Sequence, residues 1–314
     1  MKRKHIPIFL AADDNYLPYL TVTLKSISEH SSPEYVYDVR VLNTGLQPYN
    51  VRRMRRLRFD NINLFLVDVT DSVEAIRSQL SVRLRDYYSE AIFYRIFISA
   101  MYPRINKAIY IDCDTVLVDD IAKLYFTEMG ENILAGVTDE CVQGVPEFCD
   151  YVEHYVGVKP EKYINSGVLV INFKQFRKHR VAEKFIELLV EHNPDTVAPD
   201  QDYLNFLCRD KIHYLDAAWN KQPNPANPAP IAEQHLIHYN MHAKPWHRID
   251  VLYSEEFWDV ARRTPYYEDI RDEYLSYNDE KKAKDEESGA VLLSHALSLA
   301  NSGGGFVTLL TSEK

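Results

Sequence analysis

The sequence predicts an α/β protein, a sheet flanked by helices and followed by a helical C-terminal extension. Two observations lead there. Apolar strand-like runs alternate with helix-period segments through the first part of the chain, the order that builds parallel β-α-β units. Further on, Asp112-Cys113-Asp114 ends the apolar run Ala108-Ile109-Tyr110-Ile111. Open α/β sheets bind their ligands beyond the carboxyl ends of strands.

The elements follow in order. Ile6 to Ala11 reads as a buried strand, and Leu17 to Glu29, with Leu20, Leu24 and Ile27 on one face, as a helix stopped by Ser31-Ser32-Pro33. Tyr37 to Leu42 and Ile62 to Val69 read as strands around a helix from Gln47 to Phe59. A helix is expected over Glu90 to Ala100, then strands at Ile133 to Val137 and Tyr163 to Phe173. Helices are expected at Val181 to Glu191 and Gln201 to Cys208, and short strands at His213 to Asp216 and His235 to Tyr239. The four prolines between Gln222 and Pro230 mark a loop. Ser254 to Tyr277 is helical and tyrosine-rich, whereas the charges of Asp279 to Glu287 read as a linker to a loosely ordered tail. Three units result: a domain over 1–250, a helical extension over 251–278, and a linker and tail over 279–314.

Composition narrows the function. At 314 residues and 46% hydrophobic, the chain can bury a substantial core. A net charge of −10 argues against a nucleic-acid partner, and means that a bound diphosphate needs a cation or local lysines and arginines beside it. The four cysteines lack C-x-x-C spacing and read as free thiols in a reducing cytoplasm. The apolar run after the basic start meets Asp13 and Asp14 too soon for a signal peptide, and none reaches the roughly 18–20 residues of a membrane span.

Residues two apart on a strand share a face, so Asp112 and Asp114 can meet one ligand. Hard oxygen donors there suit Mn²⁺ or Mg²⁺ shared with a phosphate-bearing substrate. Asp13, Asn15 and Tyr16 follow the first strand, where a mononucleotide-binding half-fold receives base and ribose; the alternative is a helix cap. Capping is likewise the plain alternative for Asp200, and a solvated helix face for Arg95. The basic run Arg52 to Arg58 reads as a solvated helix, with anionic lipid or a phosphorylated acceptor as the other reading.

Six segments in one order give a resemblance: Ala11-Ala12-Asp13-Asp14-Asn15-Tyr16, Tyr94-Arg95, Tyr110 to Asp114, Asn165-Ser166-Gly167-Val168, Asp200-Gln201-Asp202, and His238-Tyr239 to Lys244-Pro245-Trp246. Together they resemble glycosyltransferase family 8, retaining enzymes of the GT-A nucleotide-diphospho-sugar transferase fold, a Rossmann-like mixed sheet. The resemblance spans roughly Ile6 to His247. It implies Mn²⁺, or Mg²⁺, on Asp112, Asp114 and His238, and UDP-glucose or UDP-galactose as donor. Lys244 would contact the diphosphate; Arg95, Asp200 and Asn165 would reach the donor sugar; Gln201 would sit near the β-face of the anomeric carbon. Ala11, Cys113 and Ser166 join the donor-binding set. A glutamine is a poor nucleophile, so same-face attack is favoured over a covalent intermediate. The implied acceptor is a saccharide or glycolipid, met in the cytoplasm or at the inner face of the membrane. One departure stands out: Asn240-Met241-His242 replaces a Cys-Gly-Pro-like turn whose glycine lets backbone approach phosphate.

Two other readings compete. A sugar-nucleotide binder without activity would not need Gln201 beside intact metal ligands. A Rossmann oxidoreductase would carry G-x-G-x-x-G after the first strand, where Ala12-Asp13-Asp14-Asn15-Tyr16 stands instead. Self-glucosylation on one of the 22 tyrosines is a subtype of the transferase reading.

Overall fold

The computed structural model describes residues 3–72, 74 and 93–312. Nine strands lie among them: β1 (Lys4–Ala11), β2 (Tyr35–Asn43), β3 (Ile62–Asp68), β4 (Ala108–Ile111), β5 (Thr115–Leu117), β6 (Leu134–Thr138), β7 (Ile164–Ile171), β8 (Ile212–Tyr214) and β9 (Leu236–His238). Seven form one sheet in the order β3-β2-β1-β4-β7-β6-β8. The first four run parallel, as the alternating sequence predicts. β7 enters antiparallel to both β4 and β6, so the sheet is mixed.

That topology builds the site's rim. β6 is antiparallel to β7 and therefore parallel to β4, so the residues after β4 and β6 emerge at the same edge where β7 begins. Asn165 consequently meets Asp139, and Asp112 N bonds Gly167 O two residues further along β7, although these residues are distant in sequence. β5 and β9 form a separate antiparallel pair with Thr115 opposite His238. Thr115 directly follows Asp114, so this register seats His238 beside the acidic pair.

Side chains alternate across the sheet as the strand period demands. Ile6, Ile8, Leu10, Ile109 and Ile111 fill one core layer with the helix Leu17–His30. Phe9, Ala108, Tyr110, Leu169 and Ile171 fill the other, against the helices Tyr94–Met101 and Val181–Glu191. The expected helix from Glu90 is observed from Tyr94; residues 90–92 lie outside the described set. The expected helix Gln47 to Phe59 is shorter, Pro48–Met54.

The C-terminal region corrects the sequence reading. Asp279–Ala300 is one long helix rather than a linker, and Phe306–Ser312 a second, short one. The charges misled because they stabilise the helix: Asn278 caps it through Lys281 N, and Lys284 pairs with Glu280 one turn back. The helix packs on Pro146–Tyr151, and Ala296 and Phe306 are fully buried. No helix among the described residues is long and apolar enough to cross a membrane.

Candidate active site

Asp112, Asp114 and His238 offer ligand atoms that all lie within 4.8 Å of one another. His238 Nε2 stands 3.3 Å from Asp114 Oδ1 and 3.8 Å from Asp112 Oδ2. Adjacent ligands of an octahedral ion at about 2.1 Å would lie about 3.0 Å apart, so the spacing suits a divalent cation. Two further observations agree. Asp114 Oδ1 is buried without a hydrogen-bond partner, an acceptor left over for a cation. Gly167 supplies the room: a Cβ there would lie 2.2 Å from His238 Cε1 and 2.7 Å from Asp112 Oδ2. The residues present therefore fit the metal expected from sequence.

Lys244 and Arg95 offset the negative charge. Lys244 is buried with its Nζ on Asp114 Oδ2, and it donates to Tyr239 O at 2.6 Å. Burial pushes the Asp114 carboxyl upward, but the Lys244 ammonium outweighs it and holds the group well below the usual carboxylate range. Arg95, also buried, donates to Asp112 Oδ1 at 2.9 Å and to Ser166 O and Oγ at 2.6 and 2.9 Å. It pairs with Asp200 at 3.1 Å and stacks on the Tyr110 ring. The surface-helix alternative for Arg95 does not hold.

Asp200 and Gln201 open the helix Pro199–Cys208. Ser166 Oγ donates to Asp200 Oδ2 at 2.8 Å, and Ser166 N to Gln201 Oε1 at 2.9 Å. Burial raises the Asp200 carboxyl against the pull of Arg95. Gln201 Nε2 and Asn165 Nδ2 both donate to Asp139 Oδ2 at 2.9 Å. Asp139 also accepts from Cys141 N and Gln222 Nε2, so four donors converge on it. The helix-cap alternative for Asp200 fails too, because the cap position is Ala198, with no side-chain hydrogen bond.

The nucleotide-side candidates form a turn after β1. Asp13 Oδ1 accepts from Asn15 N and Tyr16 N at 3.0 Å, so one of its oxygens shapes the turn, while Asn15 and Tyr16 are exposed at the rim. Cys113 Sγ donates to Ala11 O at 3.0 Å, which makes Cys113 and Ala11 a strand-to-strand tie. Burial pushes the Cys113 thiol far up. Met241 adopts φ +52°, the left-handed backbone of a glycine turn. The loop around Lys244 is held from outside by Asp285 of the C-terminal helix, 3.3 Å from His242 and 3.8 Å from His247.

Sequence reasoning missed Asp139, Asn220 and Gln222. Asp139 had a findable signal, an acid just past an apolar strand, the same rule that singled out Asp112. Asn220 ends the one-turn 3₁₀ helix Ala217–Asn220 and Gln222 follows it beside a proline-rich loop, and neither carries a local pattern.

Among solved structures, the bifunctional glycosyltransferase WbbM in its apo form superposes with a TM-score of 0.73 at 22% identity, over 87% of this chain and 52% of that one. The galactosyltransferase LgtC with donor and acceptor sugar analogs gives 0.66 at 26%, over 83% and 96%. A mixed sheet with acids and a histidine gathered at its carboxyl rim is the architecture of GT-A glycosyltransferases, the class that fold and site define here. Residues 7–250 match the family model of Glycosyl transferase family 8, and the chain belongs to that family. General stress protein A of Bacillus subtilis (strain 168) is 30% identical over 223 residues, 68% of this chain and 73% of that protein. The lipopolysaccharide 1,2-glucosyltransferase of Escherichia coli (strain K12) is 24% identical over 282 residues, 82% and 78% of the two chains.

Proposed function

We propose that the chain moves glucose or galactose from a UDP-sugar to a saccharide or glycolipid acceptor, with retention and in a divalent-metal-dependent manner. The observation that carries this reading is the junction of Asp112, Asp114 and His238 with Asp200 and Gln201 through Arg95 and Ser166. Asp112, Asp114 and His238 would hold Mn²⁺ or Mg²⁺. When bound, the ion supplies charge neutralisation for the diphosphate leaving group.

The rest falls to the protein. Lys244 lies on Asp114, within reach of the same charge, and Asn15 and Tyr16, exposed at the rim, would receive base and ribose. Asp200, fixed by Arg95 and Ser166, offers acceptors to sugar hydroxyls. Gln201 has its amide held at both ends, so its Oε1 faces away from Asp139 and presents a second lone pair to developing positive charge. Asp139 is saturated by four donors, and Asp200 is tied to Arg95 and Ser166, so neither stands as a ready nucleophile. This supports same-face attack, in which the departing phosphate oxygen takes the acceptor proton.

Similarity to the Escherichia coli lipopolysaccharide enzyme supports a cell-surface glycan as product. Four free cysteines suit a cytoplasmic setting, and the exposed Arg52, Arg55, Arg56 and Arg58 suit contact with anionic lipid. Calorimetry with UDP-glucose and UDP-galactose, each with and without Mn²⁺, tests the reading. Metal-dependent binding with a preference for one sugar is expected, and Asp114→Ala should abolish it. No binding of either sugar would sink the donor assignment.

A further inference from the structure

Asn220 closes the short turn Ala217–Asn220 and is 1% exposed. It sits between a metal-ligand candidate and the sugar side, and the direction of each of its hydrogen bonds follows from one unambiguous donor. The Gly167 backbone N–H can only donate, and it meets the Asn165 side chain at 3.0 Å, so that atom is Oδ1. Asn165 Oδ1 therefore also accepts at its 2.9 Å contact with Asn220, which makes the Asn220 atom Nδ2. The other end of Asn220 is then Oδ1, an acceptor only, 2.9 Å from His238 Nδ1. A neutral imidazole satisfies it only with its proton on Nδ1. Nε2 is left with a bare lone pair, facing the unpartnered Asp114 Oδ1 at 3.3 Å. Two acceptors held together in a buried place call for a cation between them.

We infer that Asn220 is a positioning residue: it sets the His238 tautomer, presents Nε2 for metal, and ties that ligand to the sugar pocket. The tie runs on through Asn165 to Asp139 and Gln201. The inference rests on the metal reading given under Proposed function, but the tautomer can be read without metal.

Nitrogen NMR of metal-free protein carrying ¹⁵N-histidine should show His238 protonated on Nδ1 and bare on Nε2. Loss of the signal in His238→Gln assigns it. Asn220→Leu removes both contacts at similar volume; it should release the tautomer and lower Mn²⁺ affinity about 10- to 100-fold. Asn220→Asp keeps an acceptor against Nδ1 but loses the donor to Asn165 Oδ1, and should restore the tautomer alone. A wild-type ring protonated on Nε2 overturns the inference. So does an Asn220→Leu variant with unchanged tautomer and Mn²⁺ affinity. If that variant does not fold cooperatively, the wild-type and Asn220→Asp tautomers decide, and an Asn220→Asp ring protonated on Nε2 overturns the inference. A wild type with the Nδ1 proton that binds no Mn²⁺ would sink the metal reading and leave the Asn220–His238 pairing intact.

Discussion

Gln201 donates its side-chain Nε2 to Asp139 Oδ2 at 2.9 Å, and this bond, opposite the Ser166 N–H on Oε1, decides which way the Gln201 amide faces. Asp139→Asn would place an amide NH₂ against two of the four donors that now converge on the carboxylate. Under the proposed role of Gln201, turnover should fall about 100-fold, the scale of a misplaced catalytic group. UDP affinity should change little. Steady-state kinetics beside UDP calorimetry separates the two, and an equal loss in both would remove Asp139 from the sugar side.

Gly167→Ala should remove Mn²⁺ binding, because the new methyl would occupy space shared by His238 Cε1 and Asp112 Oδ2. The overpacking cost is about 1–3 kcal/mol, so the protein should stay folded. Manganese affinity by electron paramagnetic resonance checks this; wild-type affinity in the variant would contradict the ligand geometry.

Asp202 gives a pH prediction. It is fully buried and accepts from Tyr151 and Tyr163 at 2.7 and 2.6 Å and from Ala198 N at 3.0 Å. Burial pushes its carboxyl up to about 6, beyond what those donors pull down. An unfolded Asp titrates near 3.9, so between about pH 4 and 6 the native state binds the extra proton. The group's contribution to stability is therefore present below that window and lost as pH rises through it. Asp202→Asn cannot lose that proton. Its stability relative to wild type should rise across the window, by on the order of 3 kcal/mol, then level off. Thermal melts of both proteins across this range would show a flat difference if Asp202 titrates normally.

Met241 sits in the left-handed region at φ +52° with its side chain half exposed. That backbone costs a non-glycine residue about 1–2 kcal/mol, and glycine loses about 0.5–1 kcal/mol in chain entropy. Met241→Gly should thus stabilise slightly, by about 0.5–1 kcal/mol. Chemical denaturation would measure it, and a clear loss would mean that the methionine side chain packs usefully.

Phe306 packs edge-on against Tyr203 at 4.9 Å and close to Phe206 at 5.0 Å, both on the helix that begins with Asp200 and Gln201. Phe306→Ala should cost about 3–5 kcal/mol. A tail without docking would cost almost nothing, so one urea titration distinguishes them.

Much of the fold was legible because strands and helices write their periods locally. Ile6 to Ala11, Tyr37 to Leu42 and Val181 to Glu191 announce themselves by apolar spacing, and the elements found there match within two residues at each end. Asp279 to Glu287 misled for a related reason. Its helix is stabilised by charge pairs along its own surface and by a few buried residues far downstream, so no apolar stripe marks the segment.

By itself the sequence determined the order of the elements, the acids that end β4, and the family-like set of Arg95, Gln201, His238 and Lys244. These are properties of short segments, and short segments suffice to encode them. Tertiary structure alone decided that β7 runs antiparallel, that β5 and β9 pair in the register that brings His238 to Asp114, and that Asn165, Asp139 and Asn220 join in one buried network. A hydrogen bond between residues 55 apart in sequence, such as Asn220 to Asn165, depends on where the sheet sets both backbones. No window of local sequence contains that information.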